Sequence, residues 1–274
     1  MFRNCTSLTT ASALPATTLA QSCYQGVFYG CTNLNSIALG YTGNFSTTYF
    51  NNWVNGVAST GTFYYNGDDR TTGPNAIPTG WTVLQIPRPL CFTAKQANST
   101  LRFDKVGIPN AISIETSVDG KTWKDYSWAD KTGDTLTLAN VGDKVYMRAK
   151  NENQTIGSSS SKYYKFKMTG KIAASGNIQT LLKTDGSRTD APSNCYRNLF
   201  RDCPSLTQAP ELPATTLDEA CYAGMFTDCS SLTTATELPA TTLANACYNL
   251  MFSGCTSLTT APELPATTLA NNCY

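Results

Sequence analysis

The string Cys203-Pro-Ser-Leu-Thr-Gln-Ala-Pro-Glu-Leu-Pro-Ala-Thr-Thr-Leu returns from Cys229 and again from Cys255 with only a few changes, a strict 26-residue period. A fourth copy begins at Cys5, and Cys31 follows it at the same interval. A unit this short cannot bury its own apolar face, so its copies must stack on one another. Within a unit, Leu258, Ala261 and Leu264 mark a short extended segment. Pro265 closes it, because proline has no N–H to give to a sheet ladder. Thr267 or Thr268 is placed to cap a helix with its hydroxyl. Leu243, Cys247 and Met251 follow the equivalent cap at i, i+4 and i+8, one face of a predicted helix. Leu217, Cys221 and Met225 repeat that face, as do Leu19, Cys23 and Val27, and Gly254 and Gly30 stand where such a helix stops.

The period also lies in the window of roughly 20–29 residues that leucine-rich repeats occupy. The joint pattern Cys-x-x-Leu-Thr-x-Ala-Pro-x-Leu-Pro and Cys-Tyr-x-x-Met-Phe-x-x-Cys resembles the BspA-like leucine-rich repeat family of bacterial surface proteins over about half of the 274 residues. Two features depart from that family: Thr-Thr stands where an asparagine ladder is usual, and alanine replaces a middle leucine. The expected architecture is an α/β leucine-rich repeat solenoid, with one short strand and one short helix per 26-residue repeat. It comes in two segments separated by an all-β sandwich domain.

Residues 1–86 read as the end of a first array with a C-terminal cap, in which Tyr49–Val54 suggests a helix and the aromatic residues form cap core. Residues 87–172 change character. Leu101-Arg-Phe, Thr135-Leu-Thr-Leu, Val145-Tyr-Met-Arg-Ala and Tyr163-Tyr-Lys-Phe-Lys-Met alternate with period two between turn signals, as in an immunoglobulin-like β-sandwich. Fourteen Lys/Arg against eight Asp/Glu give this stretch a net +6. Residues 173–274 read as a second array with an N-terminal cap, truncated mid-repeat at Cys273-Tyr274, and carry a net −5. Met1-Phe2 is in register with Met251-Phe252, so both ends fall inside a repeat. The chain therefore reads as a window on a longer protein, whose open ends are expected to associate end to end.

Ten of the eleven cysteines fall in two columns. One holds Cys5, Cys31, Cys203, Cys229 and Cys255; the other holds Cys23, Cys195, Cys221, Cys247 and Cys273. A column of equivalent thiols has no natural pairing partner, and cysteine behaves as a small buried hydrophobe. Reduced core thiols are the favoured reading over bridges between adjacent repeats or a metal site. Glu211, Glu237 and Glu263 form a third column just before the strand leucine. With Thr207, Thr233 and Thr259 they make the candidate binding face. A ladder of like charges is mildly costly unless a basic partner relieves it. Ser117-Val-Asp-Gly-Lys-Thr-Trp123 is similar to the Asp-box hairpin of sialidases and to a hairpin of carbohydrate-binding sandwiches. There it serves as a tight turn pinned by the aspartate, with a glycan site as the alternative.

Histidine is absent and the formal net charge is +1. The first excludes imidazole-based acid–base and nucleophile chemistry, and the second gives no reason for polyelectrolyte binding to nucleic acid. No phosphate loop or metalloprotease motif occurs. No stretch approaches the roughly 20 apolar residues of a membrane span, and the first residues carry no signal-peptide pattern. The expectation is a protein that is no enzyme and needs no cofactor, extracellular or at a cell surface. What the resemblance implies is adhesion to host or neighbouring-cell proteins, or to glycans, through an extended solenoid face. The alternative is a structural or receptor-binding protein of a virion, like a phage tail fibre.

Overall fold

The computed structural model describes every residue except 12, 13, 15, 17, 66–68, 85–88, 109, 152 and 153, with Leu84 described for its backbone alone. The Leu-Pro-Ala-Thr-Thr element of the first copy thus lies partly outside the described residues. The chain divides into two units, Met1–Ile86 and Pro87–Tyr274.

In the smaller unit, β1 (Ser36–Leu39), β2 (Thr62–Tyr65) and β3 (Thr82–Leu84) form a parallel sheet. Alternation buries Ile37, Leu39, Phe63 and Tyr65. The helix expected over Tyr49–Val54 is confined to α1 (Thr47–Phe50), where the Ser46 hydroxyl accepts the Thr48 N–H at the cap. Trp53 and Trp81 are buried, and each indole N–H donates to a backbone carbonyl, Ala76 and Ala58 respectively, at 2.8 Å.

The larger unit begins with ten strands that build two facing sheets. They are β4 (Leu90–Ala94), β5 (Ser99–Val106), β6 (Ile114–Ser117), β7 (Lys124–Asp125), β8 (Trp128–Ala129), β9 (Thr132–Gly133), β10 (Leu136–Leu138), β11 (Lys144–Ala149), β12 (Tyr163–Thr169) and β13 (Ile172–Ser175). In the five-stranded sheet, β5 pairs antiparallel with β12 over seven residues. Phe103 and Phe166 of that sheet stack at 4.4 Å, and Phe166 meets Phe92 of the other at 4.8 Å. The six-stranded sheet runs β15-β13-β4-β11-β6-β7, where β15 is Leu206–Gln208. Strand β13 pairs antiparallel with β4 and parallel with β15, so one sheet runs from the sandwich strands into the repeats. A two-residue pair joins β14 (Asp190–Ala191) to β16 (Thr216–Leu217).

The repeats correct the expected fold class. The chain is only 3% helical and 28% strand, and the α/β leucine-rich repeat solenoid with a helix in every repeat is not formed. Where the helices were expected, the backbone makes consecutive turns. Ala220, Gly224 and Asp228 have φ of 54°, 62° and 60°, and Asn194, Asn198 and Asp202 all lie at 58°. A left-handed residue at every fourth position is incompatible with an α-helix, which needs φ near −63° throughout.

The hydrogen bonds show what replaces it. Cys221, Ala223, Met225 and Thr227 each close a local turn on the carbonyl three residues back. Between them, Ala220, Tyr222, Gly224, Phe226 and Asp228 donate across to the carbonyls of Asn245, Cys247, Asn249, Met251 and Ser253 in turn, at 2.8–2.9 Å. A helix spends its interior donors on itself; here half of them tie one 26-residue copy, or rung, to the next. Columns of like side chains follow. Tyr196, Tyr222, Tyr248 and Tyr274 stack at 5.3, 5.7 and 6.0 Å, and Phe200, Phe226 and Phe252 at 5.5 Å each. Gly254, at φ 75°, is the last of its rung's left-handed residues rather than a helix stop. Thr268, expected at a helix cap, bridges Thr242 of the rung before.

Candidate functional site

The face carrying the glutamate and threonine columns starts as sheet and then opens. Leu206, Leu212, Leu232 and Leu238 are buried, which turns Thr207, Glu211, Thr233 and Glu237 outward. Glu211 is exposed but tied at its backbone: its N–H donates to Gly176 and its carbonyl accepts from Ile178. On the next rung, pairing reaches only the Gln208–Thr234 bridge. Between the next two copies the first bridge along this face is Thr242–Thr268, and among the described residues no bridge joins 234–239 to 260–265.

Prolines thin out the backbone donors along this face. Pro210 and Pro213 bracket Glu211, Pro262 and Pro265 bracket Glu263, and Pro239 follows Glu237. A residue without an N–H cannot continue a ladder. The result is a groove of about 560 Å³ between Thr234–Pro239 and Thr260–Pro265, with both Glu237 and Glu263 in its walls. One rung earlier a groove of about 420 Å³ lies among Ser175, Gln208–Glu211 and Thr234–Thr236. Glu237 and Glu263 are exposed, and among the described residues neither makes an ion pair.

The threonines have a different task. Thr207 donates its hydroxyl proton to the Ile172 carbonyl at 3.1 Å, and Thr233 donates to the Thr207 carbonyl at 3.2 Å. These hydroxyls tie each rung to the one before it. Thr259, on the last rung, is exposed. Leu264 is 55% exposed where its equivalents Leu212 and Leu238 are 3% and 4%.

Both cysteine columns are free thiols, buried in the larger unit but exposed at Cys5 and Cys23 of the smaller one. Cys203, Cys229 and Cys255 donate through Sγ to the carbonyls of Phe166, Phe200 and Phe226, each at 3.1 Å. Cys31 does the same to Phe2 at 2.8 Å. Each thiol therefore fills a small apolar space and satisfies a backbone carbonyl. Cys195, Cys221, Cys247 and Cys273 lie in the second column beside the tyrosine stack, and Cys91 sits in β4. Burial pushes the Cys203 thiol up to about 12 and raises Cys195, Cys221 and Cys229 as well. Thiols held protonated in this way are poor nucleophiles. Among the described residues no three His, Cys, Asp or Glu side chains are grouped to hold a metal ion.

The Ser117–Trp123 hairpin is closed by its aspartate. The Asp119 carboxylate accepts from the Lys121 and Thr122 N–H groups and the Ser117 hydroxyl, each at 2.8 Å, and these bonds hold its pKa well below the usual carboxylate range. The Arg148 guanidinium lies 3.8 Å over the Trp123 ring while bonding Glu115, so one ring face is already occupied.

Elsewhere on the larger unit, Arg102, Lys165 and Lys167 line a third hollow with Thr100 and Thr169. Arg102 is bidentate to Asp104 and Lys165 is bonded to Asp202, which leaves that hollow little net charge. Sequence reasoning missed it, although the alternation of β5 and β12 places these residues on one face.

Set against protein-family models, curated proteins and solved structures, the chain matches none. No family match backs the descriptions BspA-like and adhesion, and the leucine-rich repeat description loses the helix it depended on.

Proposed function

We propose that this chain is a non-catalytic binding protein that engages extended protein ligands on the grooved face of its larger unit. The observation that carries the reading is recurrence: grooves of about 420 and 560 Å³ lie at equivalent places on successive rungs, the first with Pro210 and Glu211 in its walls, the second with Glu237, Glu263 and three prolines. Shallow, repeated, preformed clefts suit contact along a line more than capture of one small molecule in a deep pocket. The protonated core thiols and the missing histidine add support, since neither offers a ready nucleophile or base.

The test is binding of the full chain to immobilised protein and glycan arrays, alongside two variants. Ala261→Trp fills the larger groove from an exposed position, and Lys167→Glu alters the hollow on the opposite sheet. The proposal expects protein ligands to be retained by Lys167→Glu and lost by Ala261→Trp. Ligands lost only by Lys167→Glu, or glycan binding insensitive to Ala261→Trp, would remove it.

A further inference from the structure

We propose that the groove between residues 234–239 and 260–265 holds an extended, basic polypeptide segment, which pairs its own backbone with the groove walls. This rests on the reading of the grooved face as a protein-binding surface and names what that face takes.

The walls supply the first argument. Among the described residues, the N–H groups of Thr236, Glu237 and Leu238 on one side donate to no backbone carbonyl, and neither do those of Glu263 and Leu264 on the other. One copy earlier, the Glu211 N–H and carbonyl both bond residues 176–178 on the preceding side, as the Glu263 N–H would towards 234–239 if that interface were closed. An extended chain satisfies such free N–H groups between the prolines with its own carbonyls. A glycan carries hydroxyls but no comparable N–H and C=O alternation. Prolines at 239, 262 and 265 fix the walls in advance, so the ordering cost of binding falls on the ligand alone.

Charge selects the ligand's side chains. Glu237 and Glu263 are exposed, lie in facing walls and make no ion pair among the described residues. Residues 173–274 carry a net −5, so the surroundings reinforce the sign. The remaining lining of alanine and proline is small and apolar, a surface on which the stems of lysine and arginine pack while their charged heads reach the carboxylates.

Three short synthetic peptides test this against the full chain: one alternating lysine and threonine, the same peptide with every second backbone amide N-methylated, and one alternating glutamate and threonine. The first is expected to bind, and the other two to bind at least tenfold more weakly. The double variant Glu237→Gln/Glu263→Gln should weaken the first peptide about tenfold and flatten its salt dependence. Equal binding of the methylated peptide overturns backbone pairing, and equal binding of the acidic peptide overturns the charge argument. If array proteins bind through the groove and none of the peptides does, this inference fails while the binding function stands. If Ala261→Trp changes nothing in either experiment, both fail.

Discussion

Residues 90–175 pair their backbone between strands of unlike sequence, whereas residues 194–274 pair much of theirs between copies of one sequence. In the sheets, β5 meets β12 with Arg102 opposite Lys167 and Asp104 opposite Lys165. No residue has its own kind for a neighbour along most of that ladder, and surface charges pair locally, as Arg148 does with Glu115 at 3.0 Å. In the stack, Tyr222 lies between Tyr196 and Tyr248, and Phe226 between Phe200 and Phe252. Every residue there must fit itself one rung away. That requirement explains why the repeats hold a strict period and the sheets hold none, and it confines each residue's influence to the adjoining rungs.

The largest expected effect comes from breaking a column. Phe226 is fully buried and touches a phenylalanine on either side at 5.5 Å. Phe226→Ala should cost about 3–5 kcal/mol, as for other buried aromatics cut to alanine. Native-state hydrogen exchange should show protection falling first in the inter-rung bonds of residues 220–228, with the β5–β12 ladder holding. The matching change Phe103→Ala should do the reverse. Uniform loss of protection in both variants would erase the distinction between the two regions.

An alkaline challenge sharpens the same comparison. The stack buries thiols as well as tyrosines, whereas in the sheets, Cys91 apart, the buried groups that ionise in alkali are the tyrosines Tyr126 and Tyr164. Cys203 is pushed up to about 12 by burial, from roughly 8.5 in an unfolded chain. A folded pKa above the unfolded one means that the stabilisation is whole below about pH 8.5 and is lost as the pH rises towards 12. Tyr126 of the sheets is also pushed up to about 12 by burial, but from an unfolded value near 10, so its contribution begins to fall later. With Cys91→Ala removing the thiol of β4, raising the pH from about 7.5 to 9.5 should weaken the stack and spare the sheets. Iodoacetamide labelling gives a second readout: Cys5 and Cys23 should react at once, and Cys203, Cys221 and Cys229 only as the stack opens.

The contrast also accounts for what the sequence could and could not disclose. The 26-residue stacking period was readable because the copies are nearly identical. The turn path was not, because Leu217, Cys221 and Met225 at four-residue spacing fit a helix face and a four-residue turn equally well. The discriminating signal lay between them. Asn194, Asn198 and Asp202 recur at the same interval, and all are residue types that accept the left-handed region they occupy. The glutamate column was visible as a column, yet the groove was not, since its existence depends on where pairing resumes after Pro239 and Pro265. The threonine column looked like a contact surface. The Thr207 and Thr233 hydroxyls bond the preceding segment, a use that period alone does not reveal.

The smallest expected effect has the most specific sign. Asn198, Gly224 and Leu250 occupy one position on three successive rungs, with φ of 58°, 62° and 54°. Leucine carries a cost of roughly 1–2 kcal/mol in this region of backbone space. Its side chain is 63% exposed and returns little burial. Leu250→Gly should therefore stabilise the stack by about 1 kcal/mol after the greater unfolded-state entropy of glycine is subtracted. Gly224→Ala should do the opposite, because a Cβ there stands 2.6 Å from Asn198 Oδ1 as well as facing the positive φ. Urea denaturation of both variants checks the pair. A leucine held there by packing rather than tolerated despite its backbone would lower the midpoint on removal, and the strain argument for the turn path would then fail at that rung.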